Sequence, residues 1–504
     1  MRILIWHGWL LTGTGSNIYV ARTAEVYRKQ GHDVLLLCQD NHPERAEFVD
    51  AWGTVGPEGV SDLRPTGVEP GPGRVVLLRP EIGGLLPVFV LDKYEGFEVK
   101  RFLDLTDDEL DAYLERNVTA LQAAVRQHRP EIVVAGHVVP GAVIAARALG
   151  TLRFVVKIHG SDLEYCIRHQ DRYLRLAREG LEPAAVVTGG SDNVLARTAE
   201  LIPTAADRFR KVPPGVDVEG FRPRPRREAL EEAAALLDRD PDTARGRHDD
   251  LDPKVADLLA ARDADGLQAL SATYDGRAPD PGAATRLRAL AGHPGPLVGY
   301  LGKLIPQKGV ERVIEALALL PSETRGLVVG FGTHREWLAA LVRALDQGDA
   351  EAVEWLRPEL GLELERSEVT EAAGLAERIT FTGRLDHRYA PQAVAAMDVL
   401  VVPSIAPEAF GMVAAEGAAA GALPLVPRHS SLAEVAEALE QAVGRPGLLS
   451  YAPGQGATRR VVEALWRILA LPSSERAELA GAVSAYVASE WTWERTAERL
   501  LEPA

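Results

Sequence analysis

Short apolar runs recur along the first 215 positions: RILIWHG, DVLLLCQ, RVVLLRP, EIVVAGH, RFVVKIHG, AAVVTGG and RKVPPGVD. Most are separated by stretches of helix length. Continuous apolar strands that alternate with helices predict a parallel sheet covered on both faces. The first intervening helix is expected from about Ser16 to Gln30, with Gly31 placed to stop it. The rhythm resumes near residue 297 with PLVGYLGKL, GLVVGFG, RITFTGRL, DVLVVPS and ALPLVPR. Between the first two of these, Val310, Val313, Ile314 and Leu317 have the i, i+3, i+4, i+7 spacing of a buried helix face. The chain thus reads as α/β, with two doubly wound domains in series. Residues 226–294 and 335–375 break the rhythm. Both are charged and Ala-rich without a strand signal, and both are expected to be helical insertions or partly flexible covers.

Composition narrows the function classes. At 504 residues the chain is too long for one core. A formal charge of −16 argues against a general nucleic-acid binder, which would normally be basic. Residues 1–215 hold 25 Lys/Arg against 28 Asp/Glu, so nearly all of the excess, −13, lies beyond them. An anionic ligand in the second half therefore needs its own local cationic site. Two cysteines, Cys38 and Cys166, make a disulfide scaffold unexpected and suit a reducing cytosol. The opening MRILIWHGWLL reads as a buried strand and not a signal peptide, because His7 and Gly8 interrupt it and no A-x-A-like site follows. No run of about 18 apolar residues suggests a membrane span.

In open α/β sheets, ligands bind outside the carboxyl ends of the strands. His7, His137 and His159 stand at such ends, and three at one edge favour a site over three structural histidines. His159 is expected to face the site and to carry little core packing. TGTGS (Thr12–Ser16) follows the first strand and opens a helix, where free N–H groups suit a phosphate. It lacks the full G-x-G-x-x-G spacing, since position 18 is Ile, which weakens a nicotinamide reading. In the second half, GKLIPQKG sets Lys303 and Lys308 at a strand end and just before a helix. Two ammonium groups there can hold a diphosphate and neutralise its developing charge without a metal. No D-x-D with flanking acids and no His/Cys cluster marks a bound cation. PEAFGMVAAEG (407–417) places Glu408 before a helix start and Glu416 about a turn and a half inside it. GSD at Ser161–Asp162 and GGSD at Ser191–Asp192 read as turns and caps.

Together, GKLIPQKG and PEAFGMVAAEGAAAGALPLV resemble the signature of retaining GT-B glycosyltransferases of family 4, as do TGTGSN, HGSD and VPPGVDVEGF in the first half. The resemblance covers nearly the whole chain outside the two insertions. It implies two Rossmann-like doubly wound domains facing a cleft: 1–215 on the acceptor side, 216–484 on the nucleotide-sugar side, and 485–504 as a C-terminal helix crossing back. It further implies transfer of a hexose from a nucleotide-diphosphate-sugar to an acceptor, with retention, no cofactor and no required metal, in a cytoplasmic protein.

Carried over position by position, Glu408 resembles the glutamate that contacts donor-sugar hydroxyls, and Glu416 the one that binds the ribose. Phe410, Gly411, Met412 and Val413 would offer backbone N–H groups to sugar and phosphate. Lys303 and Lys308 match the basic pair on the diphosphate, His159 the histidine near the donor sugar, and Gly15 the glycine turn facing the leaving phosphate. Gly383, Arg384 and Leu385 correspond to the wall beside the base. Three departures stand out: Lys303 where Arg is commoner, which loses bidentate geometry; Pro214 where Asn usually precedes GVD; and the length of the 226–294 insertion.

A GT-B nucleotide-sugar epimerase or phosphorylase would share the fold, and so would a non-catalytic nucleotide-sugar-binding protein. The basic pair with both glutamates favours transfer, since a sensor is expected to lose some of them. Many members of the family work at membranes through a basic face. Arg168, Arg172 and Arg175, interleaved with Glu164, Asp171 and Glu179, read first as a solvated helix face, with peripheral contact to anionic lipid as the functional alternative.

Overall fold

The computed structural model describes residues 1–91 and 94–502. The chain divides into two compact units. One runs from Met1 to Gly215 and takes up the chain again at Thr492; the other is Val216–Trp491.

The strands of the first unit are β1 (Arg2–Trp6), β2 (Asp33–Leu37), β3 (Ala51–Gly56), β4 (Gly59–Pro65), β5 (Arg74–Pro80), a small parallel pair β6 (Leu85–Val88) and β7 (Glu98–Arg101), then β8 (Ile132–Gly136), β9 (Phe154–Lys157), β10 (Val186–Gly189) and β11 (Phe209–Lys211). Nine of them form one sheet in the order β11–β10–β9–β8–β1–β2–β5–β3–β4. All neighbours are parallel except the β3–β4 hairpin at the edge. The runs Ile3–Trp6 and Val133–Ala135 are buried on both faces, which is why they carry no polar alternation. The helix Gly15–Lys29 covers one face with Tyr19, Val20, Ala24 and Tyr27, and Gly31 follows it at φ +84°. The order reverses about β1: the chain builds outward to β2 and returns to place β8 on the other flank. That switch point is where a doubly wound sheet opens a crevice at its carboxyl edge.

The second unit repeats the plan with β12 (Leu297–Leu301), β13 (Arg325–Val329), β14 (Ile379–Phe381), β15 (Val399–Val401), β16 (Leu423–Pro427) and the two-residue β17 (Ser450–Tyr451), in the order β14–β13–β12–β15–β16–β17. Every pairing is parallel. Its switch point lies between β12 and β15. Val310, Val313, Ile314 and Leu317 are all buried along the helix after β12, as their spacing predicts.

Both insertions are helical. The first holds helices Arg226–Leu237, Asp252–Ala261, Ala264–Leu270 and Ala283–Ala291, and the second Arg335–Asp346, Ala350–Leu360 and Arg366–Glu371. They are not loose covers. Leu230, Leu237, Leu287, Leu341 and Leu345 are buried in the same core as the sheet, and Pro279 bridges to Gly383 beyond β14.

Among the described residues no helix is long and apolar enough to cross a membrane. The expected arginine stripe is largely engaged: Arg172 pairs with Asp107 at 2.7 Å and donates to the Leu105 carbonyl, while Arg168 faces Glu164 and Glu200.

Candidate active site

In the second unit the site grows out of two loops at the switch point. The loop after β12 carries Lys303 and Lys308, and the loop after β15 leads to Glu408. Backbone hydrogen bonds tie the loops together, with the N–H groups of Ile405 and Ala406 both donating to the Gln307 carbonyl, at 2.8 and 3.1 Å. Gly309 makes this approach possible. Its φ is +64°, and a Cβ there would lie 2.5 Å from the Pro403 carbonyl oxygen. The result is direct contact between two residues that stand 100 apart in sequence: Lys308 Nζ pairs with Glu408 Oε1.

Ser404 Oγ donates to the same carboxylate oxygen at 2.7 Å, and the Glu408 N–H donates to Ser430 Oγ at 3.1 Å. His429, on the loop after β16, bonds the Ser404 carbonyl at 2.8 Å. Burial alone would push the Glu408 carboxyl up; the charge and hydrogen bond of Lys308, the Ser404 hydroxyl and His429 outweigh it and leave Glu408 below the usual carboxylate range. Glu408 is therefore an anion held ready by a cation. Lys303 is half-buried with no ion-pair partner among the described residues, and its carbonyl accepts from the buried Tyr300 hydroxyl at 2.8 Å.

The helix Met412–Ala419 starts at Gly411, whose φ of +98° disfavours a side chain and where a Cβ would lie 2.5 Å from a Leu432 methyl. Met412 and Val413 form its first turn, whose N–H groups lack intrahelical acceptors and point along the positive end of the helix dipole. No acidic side chain occupies that turn. Phe410 is buried, with its ring edge-on to Trp491 at 5.2 Å, so only its backbone is available to a ligand. Glu416 is buried on the same helix, 3.8 Å from His387 Nε2. Gly383 has φ +70° and packs on Asp280, the Arg384 guanidinium lies over the Phe331 ring at 5.5 Å, and Leu385 is buried.

The first unit gathers a different set at its own switch point. His7 follows β1 and His137 follows β8, with His159 beyond β9. His137 and His159 are 4.5 Å apart between ring centres, His7 and His137 6.3 Å, and Trp9 meets His137 edge-on at 4.6 Å. His7 Nε2 bonds Asn17 at 2.8 Å, and burial lowers its pKa to about 4. His159 is held well below the usual histidine range, by burial first and then by His137, Lys157 and His7. It is therefore a neutral imidazole, and its Nε2 is enclosed without a hydrogen-bond partner. Its ring packs between His137 and Tyr19, the latter 5.3 Å away. The expectation that His159 carries little packing is corrected, because its ring is held between a tilted His137 and an edge-on Tyr19. Gly15 is the first residue of its helix, and no acidic side chain occupies the first turn.

Ser191 caps its helix as expected, accepting from the Val194 N–H at 3.1 Å. Asp162 does not cap. It reaches back to accept from the Val138 N–H at 2.6 Å, and burial raises its pKa to about 6. Sequence reasoning missed Ser404, His429, Ser430 and His387. A serine or histidine in a loop has no period to betray it. The available signal was position: residues 428–430 follow β16, beside β15, so they reach the same carboxyl edge as Glu408. Ser430 also sits at φ +50°, a strained conformation for a non-glycine residue. Among the described residues no group of three His, Cys, Asp or Glu side chains forms a metal-binding cluster.

Two family descriptions match the chain, Glycosyltransferase Family 4 over residues 13–219 and Glycosyl transferases group 1 over residues 295–470. A curated relative, the 2-deoxystreptamine glucosyltransferase of Streptomyces kanamyceticus, is 31% identical over 172 residues, which is 32% of this chain and 37% of the relative. The chain thus matches little more than a third of that relative's length. Among solved structures, sucrose-phosphate synthase of Thermosynechococcus elongatus superposes with a TM-score of 0.54 at 18% identity, covering 99% of this chain and 96% of the other. Anabaena HepE in complex with UDP and glucose gives 0.57 at 16% identity, covering 99% and 98%.

Proposed function

Given that the chain belongs to the GT-B glycosyltransferases of family 4, we propose that it is a retaining, metal-independent hexosyltransferase acting on a nucleotide-diphosphate-sugar. The observation that carries this reading is the constellation at the β12/β15 switch point: the lysine pair, the Lys308-bound Glu408, an acid-free helix start at Met412–Val413, and Glu416 on that helix.

In this reading the donor diphosphate lies between Lys303, Lys308 and the first-turn N–H groups. The positive charge stabilises the leaving group as the bond from the sugar C1 to the phosphate oxygen breaks. Lys308 then exchanges one oxyanion partner for another, and Glu408 is released to accept from donor-sugar hydroxyls. Glu416 accepts from the ribose. The acceptor oxygen forms its bond to C1 on the face the phosphate leaves, and its proton passes to the departing phosphate oxygen. His159, being neutral, serves as a hydrogen-bonding group and not as a cation. The lysines supply the charge that a divalent ion would otherwise bring, which is the ground for proposing metal independence.

The test is incubation with UDP-, ADP- and GDP-hexoses, reading release of the nucleoside diphosphate, with and without a chelator. Release from one donor that survives the chelator is expected, with a product of unchanged anomeric configuration by NMR. Return of an isomerised donor would replace transfer with epimerisation, and binding without turnover would make the protein a sensor. Loss of release on chelation would end the metal-independent reading.

A further inference from the structure

The two helical insertions enclose a cavity of about 240 Å³ inside the second unit, against the edge strand β14. None of Lys303, Lys308, Glu408 and Glu416 lines it. Its volume falls just below the range of about 300–1,000 Å³ that drug-sized ligand sites occupy, which suits a smaller ligand. Val342, Phe381 and Ile379, with Val255, Ala339 and Ala376, give it an apolar floor, and four arginines and three aspartates form the rest of the lining.

Those arginines are not equivalent. Arg247 is fully engaged, with two nitrogens 2.9 Å from the buried Glu336 carboxylate and Nη2 2.7 Å from Asp252. Arg286 pairs with Asp249 at 3.0 Å. Arg335 is only 7% exposed, yet its nearest carboxylate oxygen, on Asp280, is 3.9 Å away. Its Nε and Nη1 are buried with no hydrogen-bond partner, while the guanidinium lies over the Phe381 ring at 4.0 Å. Arg343 sits eight residues further along the same helix, about 12 Å by helical rise. It is exposed at the cavity and has no ion-pair partner among the described residues. Asp346, the third acid of the lining, uses one oxygen to accept the Ala376 N–H at 2.9 Å.

A buried guanidinium with two unpartnered donors is costly unless something accepts from it. The protein supplies Arg247 with two carboxylates and leaves Arg335 with none at hydrogen-bond distance, in the wall of a cavity into which Arg343 also opens. We propose that this cavity is a second ligand site, which takes the carboxylate or phosphate head of a small anion between Arg335 and Arg343 and the body of that anion against Phe381 and Val342. The three aspartates of the lining restrict it to a compact head group and repel a polyanion.

The test is isothermal titration calorimetry on the full chain carrying Lys303→Ala and Lys308→Ala, which removes phosphate binding at the donor site. Inorganic phosphate, benzoate and a hexose 6-phosphate are the probes, at constant ionic strength. Saturable binding of at least one probe is expected, and comparing phosphate with benzoate distinguishes the two head groups. Arg335→Met should abolish that binding, and Arg343→Met should weaken it by about tenfold, the loss of one charge-assisted contact. Arg343 is exposed, so its variant decides the matter even if Arg335→Met fails to fold. Three results would each overturn the proposal: no saturable binding at millimolar probe, binding seen only when Lys303 and Lys308 are intact, or binding indifferent to Arg343→Met.

Discussion

Lys308 and Glu408 hold each other, and that single contact separates two kinds of consequence. Replacing Lys308 with alanine removes a charge that the leaving diphosphate needs. Turnover should fall about a hundredfold, or roughly 3 kcal/mol, and near-normal turnover in the Lys303/Lys308 double alanine variant would exclude the role. The glutamates should separate in steady-state kinetics. Glu416→Gln is expected mainly to raise the donor KM, because ribose contacts exist in both ground and transition states. Glu408→Gln should lower kcat with less change in KM, since it lies nearer the reacting sugar. A KM-only defect in both would defeat the division.

Lys157, at the end of β9, tests the electrostatics of the first unit. It is buried, donates to the Val212 carbonyl at 3.2 Å and lies over the Tyr19 ring. Burial lowers its pKa from 10.5 to about 7. Between those values the unfolded chain binds the proton that the folded chain has released, so stability rises with pH by up to about 1.4 kcal/mol per unit. This stability is complete above the unfolded value and is lost as the pH falls through about 7. Lys157→Met should melt higher than the parent at neutral pH and flatten the melting curve from neutral to alkaline pH. An unchanged slope would show that Lys157 is not the titrating group.

At the scale of elements, the apolar runs quoted from the sequence became strands, because a strand buried on both faces announces itself by hydrophobicity alone. The exception is RKVPPGVD, of which only Arg210 and Lys211 join the short, part-exposed β11. The β3–β4 hairpin was not read. Its outer strand, GVSDLRP, is exposed along most of its length, and its inner strand is interrupted by Gly53. β17 is two residues long and was beyond any periodicity. The helical character of the insertions was legible; their burial was not, since Ala-rich helices with scattered leucines look alike whether solvated or packed. The donor-side residues were legible as a motif, but Ser404, His429 and Ser430 belong to the site only because β15 and β16 are neighbours. Gly411 is where element and site meet. Gly411→Ala forces a side chain into φ +98° and against Leu432, which should cost about 1–3 kcal/mol and raise donor KM by displacing the first-turn N–H groups. Thermal melts and donor kinetics on this one variant check both effects, and unchanged values in either would contradict the strain or the placement.

For the whole molecule, the telling feature is that the first unit is not contiguous. The helix Trp493–Leu501 belongs to it: Tyr27 donates to the Ala497 carbonyl at 2.9 Å, Thr496 to the Pro213 carbonyl at 2.8 Å, and Trp493 meets Tyr19 edge-on at 5.6 Å. Trp493 and Leu500 are almost completely buried, so deleting the chain from Thr492 should cost the first unit on the order of 5 kcal/mol. Hydrogen exchange should show the loss around Tyr19–Lys29 and β1 while Val216–Trp491 keeps its protection; loss confined to Val216–Trp491 would assign the helix to the wrong unit.

During synthesis the first unit is begun first and finished last. A ribosome adding about 5–20 residues per second must produce all of Val216–Trp491 before Trp493 can reach Tyr19. For those tens of seconds the contiguous second unit is free to close, while the nascent first unit presents an uncovered aromatic face to whatever chaperone surveys the tunnel exit.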